Sequence, residues 1–280
     1  GVKGLKGGHS GMDINLGRGN SNKLLFRFLK TYAKDLGLRI ASISGGTLRN
    51  AIPRESFAVV ILPAANTARL EAALKEAEAI YKAELGAKEP NLQLIAENTG
   101  MPAFVIDTYT QFRLINSILA CPNGAVRMID SMPDTVETSN NLAIVQSENG
   151  KIFIKTLLRS SVETAKEALA QSIQAVFELA DADEISFDGA YPGWKPNPDS
   201  AILHEMQHVY EKLYGKKPAI MAIHAGLECG LLGSKYPNWD MISFGPTLCS
   251  PHSPDERANI PSVAKFWEYL KATLKDIPRK

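Results

Sequence analysis

Two periods alternate along the chain. Apolar residues recurring every three or four positions predict helices over about residues 21–36, 66–85, 109–119, 162–179, 200–214 and 261–274, with a short one near 226–232. The first is the clearest: Leu24, Leu25, Phe28, Leu29, Tyr32 and Leu36 form one face, Asn20 or Ser21 offers an N-cap, and Gly37 ends it. Shorter apolar or alternating runs predict strands over about 38–43, 56–62, 91–97, 138–146, 151–158, 184–187, 219–224 and 241–244. Residues 2–12 alternate weakly and end in a glycine-rich turn. Asn149-Gly150 between two strand-like runs predicts a hairpin.

Read in order, the first hundred residues give β-α-β-β-α-β, a ferredoxin-like arrangement. A similar order is expected to recur before residue 188. Gly189-Ala-Tyr-Pro-Gly-Trp-Lys-Pro-Asn-Pro198 breaks the composition and places a boundary between domains 1–188 and 189–280. Beyond it, helices and strands alternate, which predicts α/β layering with only part of a sheet. The fold class expected for the whole is α/β, with an α+β first domain.

Composition narrows the function. The 31 Lys and Arg against 30 Asp and Glu give no electrostatic case for a nucleic-acid or membrane partner. No apolar run approaches the roughly 18 residues of a membrane span. Three cysteines without a CxxC pair fit a reducing, cytoplasmic compartment. The chain starts at Gly1 inside a strand-like stretch, which reads as a trimmed fragment.

Several side chains stand out. His252 lies in a loop stiffened by Pro246, Pro251 and Pro254, with Asp255 and Glu256 following to orient its ring. His9 is held out between glycines. Asn50 precedes Ala51-Ile52-Pro53, and Arg159 sits at a strand exit where its fork suits a carboxylate. Each also has an ordinary reading, respectively a surface turn twice over, an Asx turn and a solvated charge. His204-Glu-Met-Gln-His208 matches the zincin pattern, with Glu228 at a distance suited to a third ligand. Ile202, Met206, Val209 and Leu213 form that helix's apolar stripe, which puts both histidines on the solvent side.

Six stretches together carry a resemblance. They are Leu5-Lys-Gly-Gly-His-Ser-Gly11, Gly45-Gly-Thr-Leu-Arg-Asn-Ala-Ile-Pro-Arg54, Glu137-Thr-Ser-Asn-Asn141, Gly189-Ala-Tyr-Pro-Gly-Trp194, His224-Ala-Gly-Leu-Glu-Cys-Gly230 and Pro251-His-Ser-Pro-Asp-Glu256. In this order they resemble the carnosinase-type dinuclear zinc dipeptidases. The resemblance implies an α/β catalytic domain holding two zinc ions (or other divalent ions) and an inserted lid, here 1–188, that carries subunit contacts in a homodimer. It implies hydrolysis of dipeptides, Xaa-His among them, by metal-activated water. His9 would stabilise the oxyanion and His252 would bind metal. Asn50, Asn141 and Glu228 would line the substrate, and Arg159 would grip its carboxylate. The family's other metal ligands and its general-base glutamate have no counterpart here, so the fragment is expected to be inactive alone. The zincin and a non-enzymatic dimerisation or binding module are the rival readings.

Overall fold

The computed structural model describes residues 1–190, 192–222, 228–249 and 256–276. They divide into two compact units, one made of Gly1–Ala190 and the other of the described residues that follow.

The first unit opens with β1 (Val2–Lys3), β2 (Gly8–His9), α1 (Ser21–Leu36), β3 (Arg39–Gly45), β4 (Ala51–Ile52), β5 (Ser56–Ile61), α2 (Thr67–Leu85) and β6 (Gln93–Leu94). β2 and β4 pair with each other as a separate two-stranded piece. The remaining four strands follow the order β6-β1-β5-β3, all antiparallel. Counted along the chain this is 4-1-3-2, the order that a β-α-β-β-α-β chain adopts when both helices cover one sheet. Asn20 caps α1 by accepting the Lys23 amide, and Gly37 closes it in the left-handed region at φ 66°. Of the predicted face of α1, Leu24, Leu25, Phe28, Leu29 and Leu36 are buried and Tyr32 is partly so, and Phe26 joins them at 0% exposure.

The unit continues with α3 (Thr108–Ala120), β7 (Gly124–Ile129), β8 (Met132–Glu148), β9 (Lys151–Ser160) and α4 (Glu163–Leu179). Asp107 caps α3 through the Tyr109 and Thr110 amides, and a hydrogen bond from the Thr110 side chain, with these amides, holds its carboxyl below the usual range. At the other end, Lys23 Nζ donates to the carbonyls of Ile118 (2.7 Å) and Leu119 (2.9 Å) and to that of Cys121. Burial lowers the Lys23 pKa and pushes the Cys121 thiol up to about 11.

The expected second β-α-β-β-α-β order is not what forms. α3 leads into an antiparallel run of β7, β8 and β9, which extends the first sheet instead of building another. β8 is 17 residues long, and β7 and β3 share one of its edges while β9 takes the other. The β8–β9 hairpin turns at Asn149 (φ 50°) and Gly150 (φ 75°), the pair of positive φ values that matches strand twist. Residues 184–187, predicted as a strand, carry no ladder, although Ile185 packs on the core. One core joins α1, α2, α3 and α4 to the sheet, through residues such as Phe26, Ile43, Ile118, Leu142, Leu169 and Ile173.

The second unit contains α5 (Ala201–Tyr214), α6 (Glu228–Lys235), β10 (Leu248–Cys249), β11 (Arg257–Ala258) and α7 (Ile260–Asp276). α5 packs on α7, where Tyr269 donates its hydroxyl to the Met206 carbonyl at 2.7 Å and stacks edge-on to Tyr210. The strands expected near 219–224 and 241–244 are absent over the described residues. These runs find no ladder partner, and Met221 is 86% exposed, so hydrophobicity alone does not make them strands. The pair that does form joins Leu248 to Ala258 and Cys249 to Arg257.

Phe26→Ala would open a cavity in the first unit's core. It should cost about 3–5 kcal/mol, read as a lowered denaturant midpoint with an unchanged slope.

Candidate functional site

The site is built on the short β2–β4 pair. His9 lies opposite Ala51, and Gly8 opposite Ile52. Gly7 at φ 64° and Gly8 at φ 146° turn the chain into this pairing, and a Cβ on Gly8 would lie 2.3 Å from Arg18 Nη1. Beyond His9 the loop folds back on the imidazole. The amides of Gly11 and Met12 both donate to His9 Nδ1, each at 3.2 Å. A nitrogen that accepts carries no proton, so the neutral ring holds its proton on Nε2. The His9 amide donates to Asp13 Oδ2 at 2.8 Å, and Asp13 is paired with Arg18 at 3.4 Å.

Asn50 stands where the two strands meet. Its carbonyl accepts the Ser10 amide at 2.9 Å, and its side chain is half-buried. Asn141, on β8, is 0% exposed. Its Nδ2 donates to the carbonyls on either side of Asn50, those of Arg49 (3.0 Å) and Ala51 (2.7 Å). That amide group is occupied in bracing the backbone that carries Asn50.

Arg159 comes from β9, opposite Ser139 of β8. Its Nε donates to Ser10 Oγ at 3.3 Å, and Ser10 is itself buried. Gly11 lies between the two candidate groups: a Cβ there would sit 3.1 Å from His9 Cε1 and 3.5 Å from Arg159 Nε. Among the described residues no carboxylate pairs with this guanidinium. One patch of the first unit therefore holds a ring with a defined donor edge and a half-buried cation that pairs with no carboxylate among the described residues.

The remaining candidates belong to the second unit. Glu228 is exposed at the first position of α6. His252 and Asp255 lie outside the described residues. His204 and His208 are both exposed on α5, while Met206 and Val209 are buried. No group of three or more His, Cys, Asp or Glu able to hold a metal occurs among the described residues, so the zincin pattern lacks its third ligand there. Reading the sequence passed over Ser10 and Asp13, which fix the geometry of His9 and Arg159. Their signal was slight, a hydroxyl next to the histidine and an acid four residues on.

A family model described as a peptidase dimerisation domain matches residues 1–89. Over 279 residues the chain is 42% identical to the cytosol non-specific dipeptidase of Escherichia coli (strain K12), a match covering 100% of this chain and 57% of that protein. Over 126 residues it is 28% identical to the succinyl-diaminopimelate desuccinylase of Sulfurovum sp. (strain NBC37-1), covering 45% of this chain and 34% of the relative. The crystal structure of aminoacylhistidine dipeptidase from Vibrio alginolyticus matches with a TM-score of 0.91 at 47% identity, over 100% of this chain and 57% of that one. The resemblance to the aminoacyl-histidine dipeptidases runs the whole length of the chain.

The chain thus spans 57% of the length of these two dipeptidases. The matches take in all of this chain, and nothing in them speaks for the expected inactivity. His9, Asn50, Asn141 and Arg159 gather on one patch of the first unit although they span 150 positions of sequence.

Asn141→Ala would strip the Arg49 and Ala51 carbonyls of their donor and leave a cavity at a buried position. The loss should be about 1–3 kcal/mol, measured by denaturant unfolding, and Asn141→Asp, which sets acceptors against those carbonyls, should cost at least as much.

Proposed function

We propose that this chain acts in metal-dependent hydrolysis of dipeptides, with His9 and Arg159 as the groups that touch substrate. The observation that supports the reading is their arrangement about Gly11: an imidazole whose Nδ1 is occupied by two amides, beside an arginine without a carboxylate partner among the described residues. Nε2–H of His9 donates to the peptide carbonyl oxygen and follows it as negative charge develops. The outer nitrogens of Arg159 take the free C-terminal carboxylate as a fork. In a dipeptide the scissile carbonyl and the terminal carboxylate are one residue apart, so two neighbouring groups can hold both. A longer peptide would put an amide where Arg159 requires a carboxylate.

Asn50 contributes from the rim of the same patch, with Asn141 behind it as its brace. Glu228, on the second unit, is a further candidate for contact with the substrate. Zinc is the expected metal, as two ions, with other divalent ions able to serve. It would supply a Lewis acid and an activated water, and His252 would be this chain's contribution to holding it. The described residues alone offer no set of ligands that fits zinc, so their part is to bind the carboxylate, orient the peptide and donate to its carbonyl. The relatives also support a homodimer formed through the first unit, and a cytosolic setting. Among the described residues no helix is long and apolar enough to cross a membrane.

In the metal-loaded enzyme, His9→Ala should lower kcat by about 100- to 1,000-fold with a smaller change in KM. Arg159→Ala should instead raise KM for a free dipeptide and bring it level with the KM for the C-terminally amidated substrate. An Arg159→Ala enzyme that still preferred the free carboxylate would overturn the assignment.

A further inference from the structure

Between Lys6 and Gly19 the chain leaves the sheet, makes the β2 strand with His9, and returns. Both ends of this excursion are tied to one side chain. The Lys6 amide donates to Glu89 Oε2 and the Gly19 amide to Glu89 Oε1, each at 2.8 Å. Glu89 is 0% exposed. It stands 70 and 83 positions away from its two partners, in the turn between α2 and β6.

Resting on the reading of His9 given above, we infer that Glu89 is a positioning residue that holds the His9 loop in its working shape. Removing a carboxylate from water is costly, and a surface loop closed by apolar contacts would not need one. What the carboxylate offers is two acceptor oxygens on one rigid group. A single Glu89 thereby sets the separation of Lys6 and Gly19, and the loop becomes a closed ring. Inside that ring Arg18 donates to the Gly7 carbonyl at 2.5 Å and pairs with Asp13, which in turn holds the His9 amide. The same turn supports the ring's entrance: Lys6 Nζ donates to the Ala87 carbonyl at 3.4 Å, and a Cβ on Gly4 would sit 1.9 Å from the Asn91 carbonyl oxygen.

Glutamine at this position keeps one acceptor and turns an NH2 toward the other amide donor, so one end of the ring is released. Amide hydrogen exchange on the full chain tests this. In Glu89→Gln, amides between Lys6 and Gly19 should exchange about 10-fold faster, while those of β3 and β8 stay within about twofold. Should that variant fail to fold, Glu89→Asp, which is one methylene short, is read by the same comparison. Unchanged exchange in the loop, or an equal rise through β3 and β8, overturns the inference, since the second result means a stability role only. In the loaded enzyme the variant should lower kcat while KM for a free dipeptide stays within about twofold, and it should add little on top of His9→Ala. If His9→Ala alone leaves turnover unchanged, the catalytic reading of His9 falls. The exchange result still judges the clamp.

Discussion

The first unit depends on how one gap in its sheet is closed. Along a single edge of β8, β7 pairs as far as Asn140 and β3 begins at Val145, which leaves residues 141–144 without a strand on that side. A buried strand edge with open amides and carbonyls would be strongly unfavourable. Asparagine side chains take the place of the missing strand. The Leu142 amide donates to Asn123 Oδ1 at 2.9 Å, the Leu142 carbonyl accepts Asn20 Nδ2 at 3.0 Å, and the Ala143 carbonyl accepts Asn22 Nδ2 at 3.2 Å. Asn20 is also the cap of α1, so the same residue starts the helix and fills the sheet. Asn141, in the same stretch, turns its amide to the backbone around Asn50. The candidate site therefore rests on a place where the fold has already exchanged strand pairing for side-chain hydrogen bonds.

This explains which parts could be read from the sequence. The helices of the first unit announce themselves, because each buries an apolar face against one sheet and the spacing of that face is local. Gly37 and the Asn149-Gly150 turn are equally local, set by the φ values that glycine and asparagine tolerate. Strand order is less local, yet 4-1-3-2 follows once β-α-β-β-α-β is recognised. What the spacing does not contain is the continuation. The spacing places β8 and β9 in a repeat and gives no strand over 124–129, yet β7, β8 and β9 extend the first sheet, because β8 is long enough to serve β3 and β7 together. In the second unit the apolar runs near 219–222 and 241–244 imitate strands by composition, but a strand is defined by its partner.

The candidate residues divide in the same way. His9, Asn50 and Arg159 were legible because unusual residue types stand in glycine-rich or strand-end settings, and the resemblance gave them roles. Asn141 was expected beside the substrate, and its side chain is instead buried against two carbonyls, a place that only tertiary contact determines. Ser10, Asp13 and Glu89 carry no pattern at all. A glutamate before a proline, as at Glu89-Pro90, looks like any solvated turn charge, and its two partners lie far away in sequence.

The loop that holds His9 is ordered by polar contacts more than by packing. Its glycines give it the close approaches it needs and weaken it at the same time, since each glycine has more freedom to lose on folding. Met12 and Leu16 are largely exposed, and Ile14 belongs to a small cluster with Ile52 and Val136 that is separate from the main core. Such a loop sits at the low-stability end of the molecule, where local opening is cheap. A donor that must meet a developing oxyanion gains only if it is already in place when the charge appears. The amides on Nδ1, the Asp13–Arg18 pair and the Glu89 carboxylate supply that order through direction rather than area. Hydrogen bonds fix the ring's orientation and its tautomer together, which apolar packing around an imidazole does not do.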